Sequence, residues 1–288
     1  MTTDERLVEV APGIRLWAES TGDPDAPPFL LIMGANASGL AWPDALVARL
    51  AEHHRVIRYD HRDTGRSTRA FATRPYPITA LAHDALAVLD GFGAERAHVA
   101  GMSLGGLLVQ LLMLDAPERL LTATMFCTGP LQTPGEPELP GPSPEVMAMW
   151  QHLGEPRDRE AEVAFNVAHW RLMSGGGPFE PEEFRALEER IRDHAGTDDP
   201  TVAHALADAS NLERGAELAA TTTPALVLEA PLDPVYPPPN APALAARIPG
   251  AELVTIDGMG HALPSPLLPE IAGAILSRSM RGEPAPRP

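Results

Sequence analysis

The sequence predicts an α/β fold, a mostly parallel eight-stranded sheet flanked by helices, with a helical cap inserted after the sixth strand. Most of its apolar runs lack polar alternation, which is typical of strands covered on both faces. Helical segments separate these runs over residues 29–130 and again over 224–280, as in a doubly wound sheet. Between them, residues 131–215 break the pattern with a proline- and glycine-rich segment followed by helical stretches. Such an insertion would cover the carboxyl ends of the strands, where ligands bind in these folds.

The predicted elements follow one another in a regular order. Period-two alternation over residues 7–10 and 14–19 predicts an opening antiparallel hairpin. Six further strands are predicted at residues 29–33, 56–59, 97–102, 120–127, 225–229 and 253–256. Helices are predicted outside the cap at 42–53, 77–92, 105–115, 241–248 and 267–280, and within it at 145–153, 158–173, 181–194 and 201–213.

These elements divide the chain into four segments. Residues 1–130 form the first part of the α/β core, 131–215 the cap, and 216–280 the second part of the core. The proline-rich residues 281–288 are expected to be a disordered tail. A glycine run at residues 174–178, inside the cap, fits either a hinge or an ordinary connecting loop.

The chain is strongly acidic. Its 22 basic residues are all arginine, and its formal net charge is -17. Because phosphate backbones attract basic surfaces, this charge argues against a nucleic-acid partner. It could serve solubility alone, or it could steer a cationic, amine-bearing substrate toward the protein. Cys127 is the only cysteine, so no intrachain disulfide can form, and its apolar neighbours predict a buried thiol.

The sequence offers no targeting or membrane-spanning segment that we can identify. The first residues are charged and lack the apolar stretch of a secretory signal. The longest uncharged run lies between Arg96 and Asp115 and contains polar residues and three glycines, so we interpret it as a buried strand and helix. We therefore expect a soluble cytoplasmic protein with no membrane partner. Whether it is a monomer or a homodimer is left open.

The most informative stretch is Gly101-Met102-Ser103-Leu104-Gly105, where a predicted strand meets a predicted helix. A serine at the apex of such a sharp turn is the pattern of a nucleophile elbow. Glycines beside it let the strand and the helix approach, so that the Ser103 hydroxyl can project into a cleft. We predict that Ser103 is a catalytic nucleophile, with a simple turn serine as the alternative.

A serine hydroxyl needs a base to accept its proton, and the base needs an anionic partner. In this architecture the acid and then the histidine follow the serine, on loops after later strands. Asp233 comes just after the strand at 225–229, and His261 comes just after the strand at 253–256. We therefore predict that Asp233 and His261 complete a catalytic triad with Ser103.

Less specific interpretations of the two partners stay open. The histidine could be an incidental loop residue, and the aspartate could cap a turn, since Asp-Pro is a common turn pair. Glu229 and Asp257 are the nearest rivals for the acid, although both lie closer to the predicted strands.

Negative charge develops on the carbonyl oxygen during attack, so preorganised donors are needed. We expect the backbone N–H of Leu104 to be one donor and that of Ala35, after the third strand, to be the other. Gly34 would permit close backbone approach, and Asn36 either adds a side-chain donor or stabilises the loop. Trp42 is a weaker candidate for the substrate pocket, because a tryptophan there more often packs in the core.

The sequence favours neither a metal nor a cofactor. His61 and Asp63 lie in a charged turn, Asp60-His61-Arg62-Asp63, but no second cluster occurs at metal-ligand spacing. A hydrogen-bonded turn is the favoured interpretation. No GxGxxG fingerprint and no P-loop occurs anywhere in the chain.

Over nearly its whole length the chain resembles α/β hydrolases, and more narrowly the aclacinomycin methylesterases of anthracycline biosynthesis. The resemblance rests on the Asp60-x-Arg62-x-x-Gly65-x-Ser67 turn and on residues 31–38, 56–67, 88–93, 170–175, 193–196 and 258–264. It implies a serine esterase of antibiotic biosynthesis that removes the methyl group from the carboxylate ester of a glycosylated aromatic polyketide. It also implies Ser103, Asp233 and His261 as the triad, with Ala35 and Leu104 as oxyanion donors. Residues 128–166 and 197–215 match the family less well, so the substrate is the least constrained expectation.

Three functional hypotheses follow. The leading one is a carboxylic ester hydrolase that acts on a small-molecule ester through an acyl-enzyme. A second keeps the triad but changes the reaction, as in a lactonase or a cofactor-free perhydrolase. A third is a ligand-binding homologue without catalytic activity, which the intact set of Ser103, Asp233 and His261 disfavours.

Overall fold

Eight strands run through residues 3–281, the part of the chain that the computed structural model describes. They are β1 (Thr3–Ala11), β2 (Ile14–Thr21), β3 (Pro28–Ile32), β4 (Arg55–Tyr59), β5 (Ala97–Met102), β6 (Leu120–Phe126), β7 (Ala225–Glu229) and β8 (Glu252–Thr255). They form one sheet in the order β1-β2-β4-β3-β5-β6-β7-β8. β2 pairs antiparallel with β1 and with β4, and all the other neighbours are parallel. The predicted fold class is confirmed.

Helices alternate with the strands and cover the sheet. They are α1 (Asp44–Leu50), α2 (Thr79–Gly91), α3 (Leu104–Asp115), α4 (Pro144–Trp150), α5 (Arg159–Met173), α6 (Pro181–Ala195), α7 (Ala203–Leu206), α8 (Asn240–Arg247) and α9 (Leu268–Ser279). Apolar residues of α1 and α9 pack on one face of the sheet, and those of α2, α3 and α8 pack on the other. The two buried clusters account for the unalternated apolar runs of the parallel strands.

The structure gives a physical reason for two of the differences between predicted and observed helices. The helix predicted at residues 42–53 begins only at Asp44, because Pro43 is extended and a short 3-10 turn, Gly39–Ala41, precedes it. The helix predicted at 201–213 is a single turn, Ala203–Leu206. Its continuation is diverted because the carbonyl of Asp208 accepts a hydrogen bond from the Ile78 N–H at 2.9 Å, beside the start of α2.

The helices α4 to α7 belong to the segment predicted as the cap, and we keep the name cap segment for residues 131–215. This segment contacts the loops that follow the strands. The carbonyl of Met173, at the end of α5, accepts a hydrogen bond from the His261 N–H after β8. His194 of α6 donates to Asp60 directly after β4 at 2.7 Å. These contacts lie at the carboxyl ends of the strands.

Two sequence-based expectations concern the chain ends and membranes. The predicted disordered tail, apart from Arg281, lies outside the described residues. Within residues 3–281, every helix is too short or too polar to span a bilayer.

Candidate active site

Ser103 occupies a strained turn between β5 and α3. Its backbone has φ 58° and ψ -122°, outside the regions that residues with a side chain ordinarily adopt. A Cβ on Gly105 would lie 2.0 Å from the carbonyl oxygen of Ile32, so only glycine lets α3 approach β3 this closely. The Ser103 N–H donates to Phe126 at the end of β6 at 3.1 Å, which fixes the turn on the sheet.

His261 and Asp233 are in direct contact. Nδ1 of His261 lies 2.8 Å from one carboxylate oxygen of Asp233 and 3.0 Å from the other. Because an ionised carboxylate only accepts hydrogen bonds, Nδ1 carries a proton, and in the neutral imidazole Nε2 then has the free electron pair. The imidazole is thereby prepared to accept a proton through Nε2.

The carboxylate of Asp233 is buried and stays ionised. Burial alone would raise its pKa, but the charge of His261 and the hydrogen bond from it hold the pKa below the ordinary value of 3.8. The N–H groups of Val235 and Tyr236 add hydrogen bonds of 2.7 Å and 3.0 Å to the same carboxylate. These bonds also fix the orientation of the carboxylate toward His261.

The rival acids lie elsewhere. Glu229, at the end of β7, accepts a hydrogen bond from the Thr255 hydroxyl at 2.7 Å, and Asp257 is exposed. The contact with His261 therefore belongs to Asp233.

Ser103 and His261 line one cavity of about 490 Å³ between the core and the cap segment. The expected oxyanion donors, Ala35 and Leu104, line the same cavity. A Cβ on Gly34 would lie 3.1 Å from Cβ of Ser103, so the absence of a side chain there brings the loop after β3 against the serine. The arrangement gathers a hydroxyl, an imidazole–carboxylate pair and backbone donors around one space.

Comparison with known proteins adds a family to this geometry. Residues 27–264 match the family model of the alpha/beta hydrolase fold. This chain is an α/β hydrolase. Two curated relatives, Rhodomycin D methylesterase DnrP of Streptomyces peucetius and DauP of Streptomyces sp. (strain C5), are each 47% identical to it over 283 residues. Each alignment covers 92% of this chain and 95% of the relative. Because it is this similar to two methylesterases over most of its length, the α/β hydrolase is a carboxylic ester hydrolase.

Solved structures agree on the fold. A hydrolase from Pseudomonas aeruginosa PA01 has a TM-score of 0.74 and 26% identity, covering 97% of this chain and 99% of its own. A thermophilic esterase from Thermogutta terrifontis has a TM-score of 0.70 and 25% identity, covering 96% of this chain and 97% of its own.

The structure places the two weaker site candidates of this α/β hydrolase, Asn36 and Trp42, in different surroundings. Asn36 lines the cavity, and its side-chain oxygen accepts the His204 N–H at 3.1 Å, which favours the loop-stabilising role. The pocket assignment of Trp42 is wrong. Its side chain is 0% exposed and packs edge-on against Phe126, with ring centroids 5.8 Å apart, inside the core. The short turn before α1 directs the indole inward.

The charged turn after β4 is a hydrogen-bonded structure. Nε2 of His61 donates to the Met33 carbonyl at 2.9 Å. Asp63 accepts from the N–H groups of Ala70 and Phe71 and from the Tyr76 hydroxyl at 2.7 Å. These bonds support the interpretation of the segment as a hydrogen-bonded turn.

Sequence reasoning missed the cap side of the cavity. This wall includes three aromatic rings and three charged side chains: Trp150, His169, Trp170, Glu162, Glu188 and Arg192. Helical periodicity locates these residues on α4, α5 and α6 but does not show which of their faces meets the core. Only the tertiary arrangement brings them over Ser103.

The cap wall holds its charges by mutual pairing. Arg192 lies 3.1 Å from an oxygen of Glu162, and the indole N–H of Trp170 donates to Glu188 at 2.7 Å. Burial raises the pKa of Glu188. Burial also lowers the pKa of His169 to about 4, so its neutral ring accepts the Trp150 indole N–H at 3.1 Å.

Cys127 is buried as predicted, but its position next to the site was missed. Its backbone has φ 50°, and its Sγ lies 3.4 Å from the Gly260 carbonyl oxygen, which accepts from the thiol. Sγ and ligand atoms of Asp233 and His261 all lie within 4.8 Å of one another. Burial and the charge of Asp233 raise the pKa of the thiol, so it stays protonated.

The glycine run at residues 174–178 packs tightly against the two triad loops. A Cβ on Gly175 would meet the carbonyl oxygen of Leu232 at 1.7 Å, and one on Gly177 would meet that of Gly258 at 2.2 Å. Such close backbone contacts favour the connecting-loop interpretation over a free hinge.

Proposed function

We propose that this α/β hydrolase is a serine methylesterase that removes the methyl group from the carboxylate ester of a glycosylated aromatic polyketide. The observation that carries the proposal is the contact of His261 with Asp233 in the cavity that Ser103 lines. The substrate class rests on the two rhodomycin D methylesterases, which are 47% identical to this chain.

In the proposed mechanism, Nε2 of His261 accepts the proton of the Ser103 hydroxyl while Oγ attacks the ester carbonyl carbon. The tetrahedral intermediate carries its negative charge on the former carbonyl oxygen, facing the N–H groups of Ala35 and Leu104. Collapse breaks the bond to the methoxy oxygen, and His261 returns the proton, so that methanol leaves. Asp233 stabilises the imidazolium during each transfer.

Water completes the reaction. His261 accepts a proton from a water molecule, whose oxygen attacks the acyl carbon bound to Ser103. Collapse of the second tetrahedral intermediate returns the proton to Oγ of Ser103 and releases the free carboxylic acid. The serine, histidine and aspartate are thereby restored, and no cofactor takes part in any step.

The cavity supports a planar aromatic substrate. Trp150 and Trp170 line it on the cap side. Tyr236 also lines it, and its ring is stacked on that of His261, with 6.2 Å between the two ring centroids and 24° between the ring planes. Flat aromatic surfaces offer stacking contacts to fused rings. A cavity of about 490 Å³ lies within the usual range for ligand sites.

The testing experiment compares kcat/KM for an anthracycline methyl ester with that for p-nitrophenyl acetate. We expect the methyl ester to be preferred and Ser103→Ala to lower its kcat by about 10⁴-fold or more. A fluorophosphonate should label the parent enzyme at Ser103 and leave the variant unlabelled. Ser277→Ala, on the exposed side of α9, is the matched control and should keep parental activity.

Two results would overturn the proposal. Normal hydrolysis by Ser103→Ala would exclude the acyl-enzyme mechanism. A parent enzyme that is labelled but hydrolyses a lactone far faster than either ester would keep the triad and assign a different reaction.

A further inference from the structure

Two histidines hold the loop that carries the expected oxyanion donor. The loop, Met33-Gly34-Ala35-Asn36, follows β3 and lines the cavity beside Ser103. From the core, His61 donates through Nε2 to the carbonyl oxygen of Met33 at 2.9 Å. From the cap segment, Nδ1 of His204 accepts a hydrogen bond from the Asn36 N–H at 2.8 Å. The loop is thus fixed at its first and last residues.

His204 makes two further hydrogen bonds that define its orientation. Its own backbone N–H donates to the side-chain oxygen of Asn36 at 3.1 Å, so the two residues bond reciprocally. Its Nε2 donates to the carbonyl oxygen of Arg62 at 3.0 Å. Because Nδ1 accepts and Nε2 donates, the ring is the neutral tautomer with its proton on Nε2.

The surroundings of His204 keep that tautomer in place. The residue is 5% exposed, and its ring packs edge-on against His61 with centroids 5.4 Å apart. Burial and the neighbouring His61 lower its pKa to about 3. A neutral ring can therefore accept the Asn36 N–H throughout the neutral pH range.

Asn36 has a left-handed backbone, with φ 58°. Asparagine adopts this conformation more readily than most residues with a side chain, though less readily than glycine, and its two hydrogen bonds with His204 hold it there. Asn36 directly follows Ala35, so the peptide that His204 holds is bonded to the residue whose N–H is expected to face the oxyanion. The Ala35 N–H belongs to the Gly34–Ala35 peptide, which lies between the Met33 carbonyl held by His61 and the Asn36 N–H held by His204. Loss of the His204 bond would free rotation about ψ of Ala35 and let this peptide change its direction.

We propose that His204 is a positioning residue of the oxyanion hole, which the cap segment contributes to the core. Docking of α7 fixes Asn36 and thereby the direction of the Ala35 N–H. The inference rests on the proposed function, because an oxyanion hole matters only if Ser103 attacks an ester.

Two substitutions separate the hydrogen bonds of His204. His204→Asn places an amide oxygen near the position of Nδ1 and keeps the acceptor for the Asn36 N–H. His204→Gln places its amide near Nε2, so it keeps the bond to Arg62 and loses the acceptor. Removal of a whole oxyanion donor lowers kcat by about 10² to 10³-fold, so a displaced donor should lower it by about 10-fold or more. We expect this loss for His204→Gln and a kcat within about threefold of the parent for His204→Asn.

A binding measurement reports on the oxyanion hole itself. Phenylboronic acid forms a tetrahedral adduct with an active-site serine and places an oxygen where the oxyanion develops. Its Ki should rise for His204→Gln by the same factor as kcat falls, while KM for p-nitrophenyl acetate stays within about threefold. Leu206→Ala, on the same turn of helix and 67% exposed, is the matched control and should leave kcat, KM and Ki unchanged.

The possible outcomes separate this inference from the proposed function. Equal and parental kcat and Ki in both His204 variants would overturn the positioning role. Equal losses of kcat in both variants, accompanied by a higher KM, would also overturn it, because they would show that His204 has a general packing role. If Ser103→Ala keeps full activity, the proposed function fails first. If Ser103→Ala abolishes activity and the His204 variants do not alter it, only the present inference fails.

Discussion

The two walls of the cavity are built in different ways. On the core wall, Ser103, Asp233 and His261 each follow a strand, and backbone hydrogen bonds hold this wall, such as the 3.1 Å bond from the Ser103 N–H to the Phe126 carbonyl. On the cap wall, Glu162 and Arg192 lie on separate helices and are held by pairing with each other across 3.1 Å. The core wall is thus positioned by the main chain, and the cap wall by side chains.

Because the walls are held differently, we expect substitutions in the core wall and in the cap wall to have different effects. A substitution on the core wall should remove chemistry while leaving the fold intact, because the backbone keeps its neighbours in place. A substitution in the charged network of the cap wall should first cost stability, since it leaves a buried charge without a partner. Four predictions test or refine this comparison.

The largest effect is expected at Asp233. Asp233→Asn removes the charge that orients His261 and stabilises its protonated form, so kcat should fall by about 10⁴-fold. KM and the urea concentration at the midpoint of unfolding should change little. Glu229→Gln, the nearest rival acid at the end of β7, is the matched control and should keep parental kcat. A larger loss at Glu229 than at Asp233 would reassign the acid.

The second effect is expected on the cap wall. Arg192→Met leaves buried Glu188 without a cation and leaves Glu162 paired with Arg157 alone, at a cost of about 3 kcal/mol in the free energy of unfolding. Urea titration followed by circular dichroism measures this loss. In the fraction that stays folded, KM should rise more than kcat falls. A variant with parental stability and a kcat reduced as strongly as that of Asp233→Asn would remove the distinction between the walls.

The same difference between the walls explains which site residues could be predicted from the sequence. Strand ends are set by hydrophobic patterns and turn residues, which are local, so Ser103, Asp233 and His261 could be placed next to β5, β7 and β8 from the sequence alone. The eight strands were found in the same way. Ser103, His261 and Asp233 lie in one site, while their catalytic roles stay predictions that the variants above test.

The cap wall could not be reached from local patterns. Which faces of α5 and α6 meet the core depends on contacts between residues far apart in the chain, such as His194 with Asp60. The helix predicted at residues 201–213 is wrong for a similar reason, because a hydrogen bond to Ile78 diverts it at Asp208. Trp42 was misplaced because a proline and a short turn redirect its ring, an effect that residue type alone does not reveal.

The third prediction concerns the contact between the core and the cap segment at Asp60 and His194, which we call the seam. Asp60 is buried and accepts hydrogen bonds from His194 at 2.7 Å, from the Ser38 hydroxyl at 2.5 Å and from two backbone N–H groups. Burial alone would raise its pKa, but His194 and the other donors hold the pKa below 3.8. A lowered folded-state pKa means that the stability from Asp60 is present above pH 3.8 and is lost as the pH falls through the folded value.

Asp60→Asn should therefore lower the free energy of unfolding by about 2 kcal/mol at pH 6, since charge-assisted hydrogen bonds are lost. The difference from the parent should narrow as urea titrations are repeated toward pH 3. Asp193→Asn changes an exposed carboxylate next to His194 and should have little effect at either pH. A difference between Asp60→Asn and the parent that is independent of pH would show that shape, and not charge, holds the seam.

The smallest effect is expected for a second arginine of the cap segment. Arg185 pairs with Glu160 at 2.7 Å across the same two helices, α5 and α6, that Arg192 joins. The Arg185 and Glu160 side chains are 34% and 75% exposed, so water screens the pair and compensates each charge when its partner is removed. Arg185→Met should leave the urea midpoint of unfolding and KM close to the parental values. Because Arg192→Met and Arg185→Met make the same chemical change on one helix, the ratio of their effects measures the contribution of burial. If Arg185→Met lowered the stability as much as Arg192→Met does, the stability of the cap segment would depend on the number of its ion pairs. Burial of the ion pairs that face Ser103 would then make no difference.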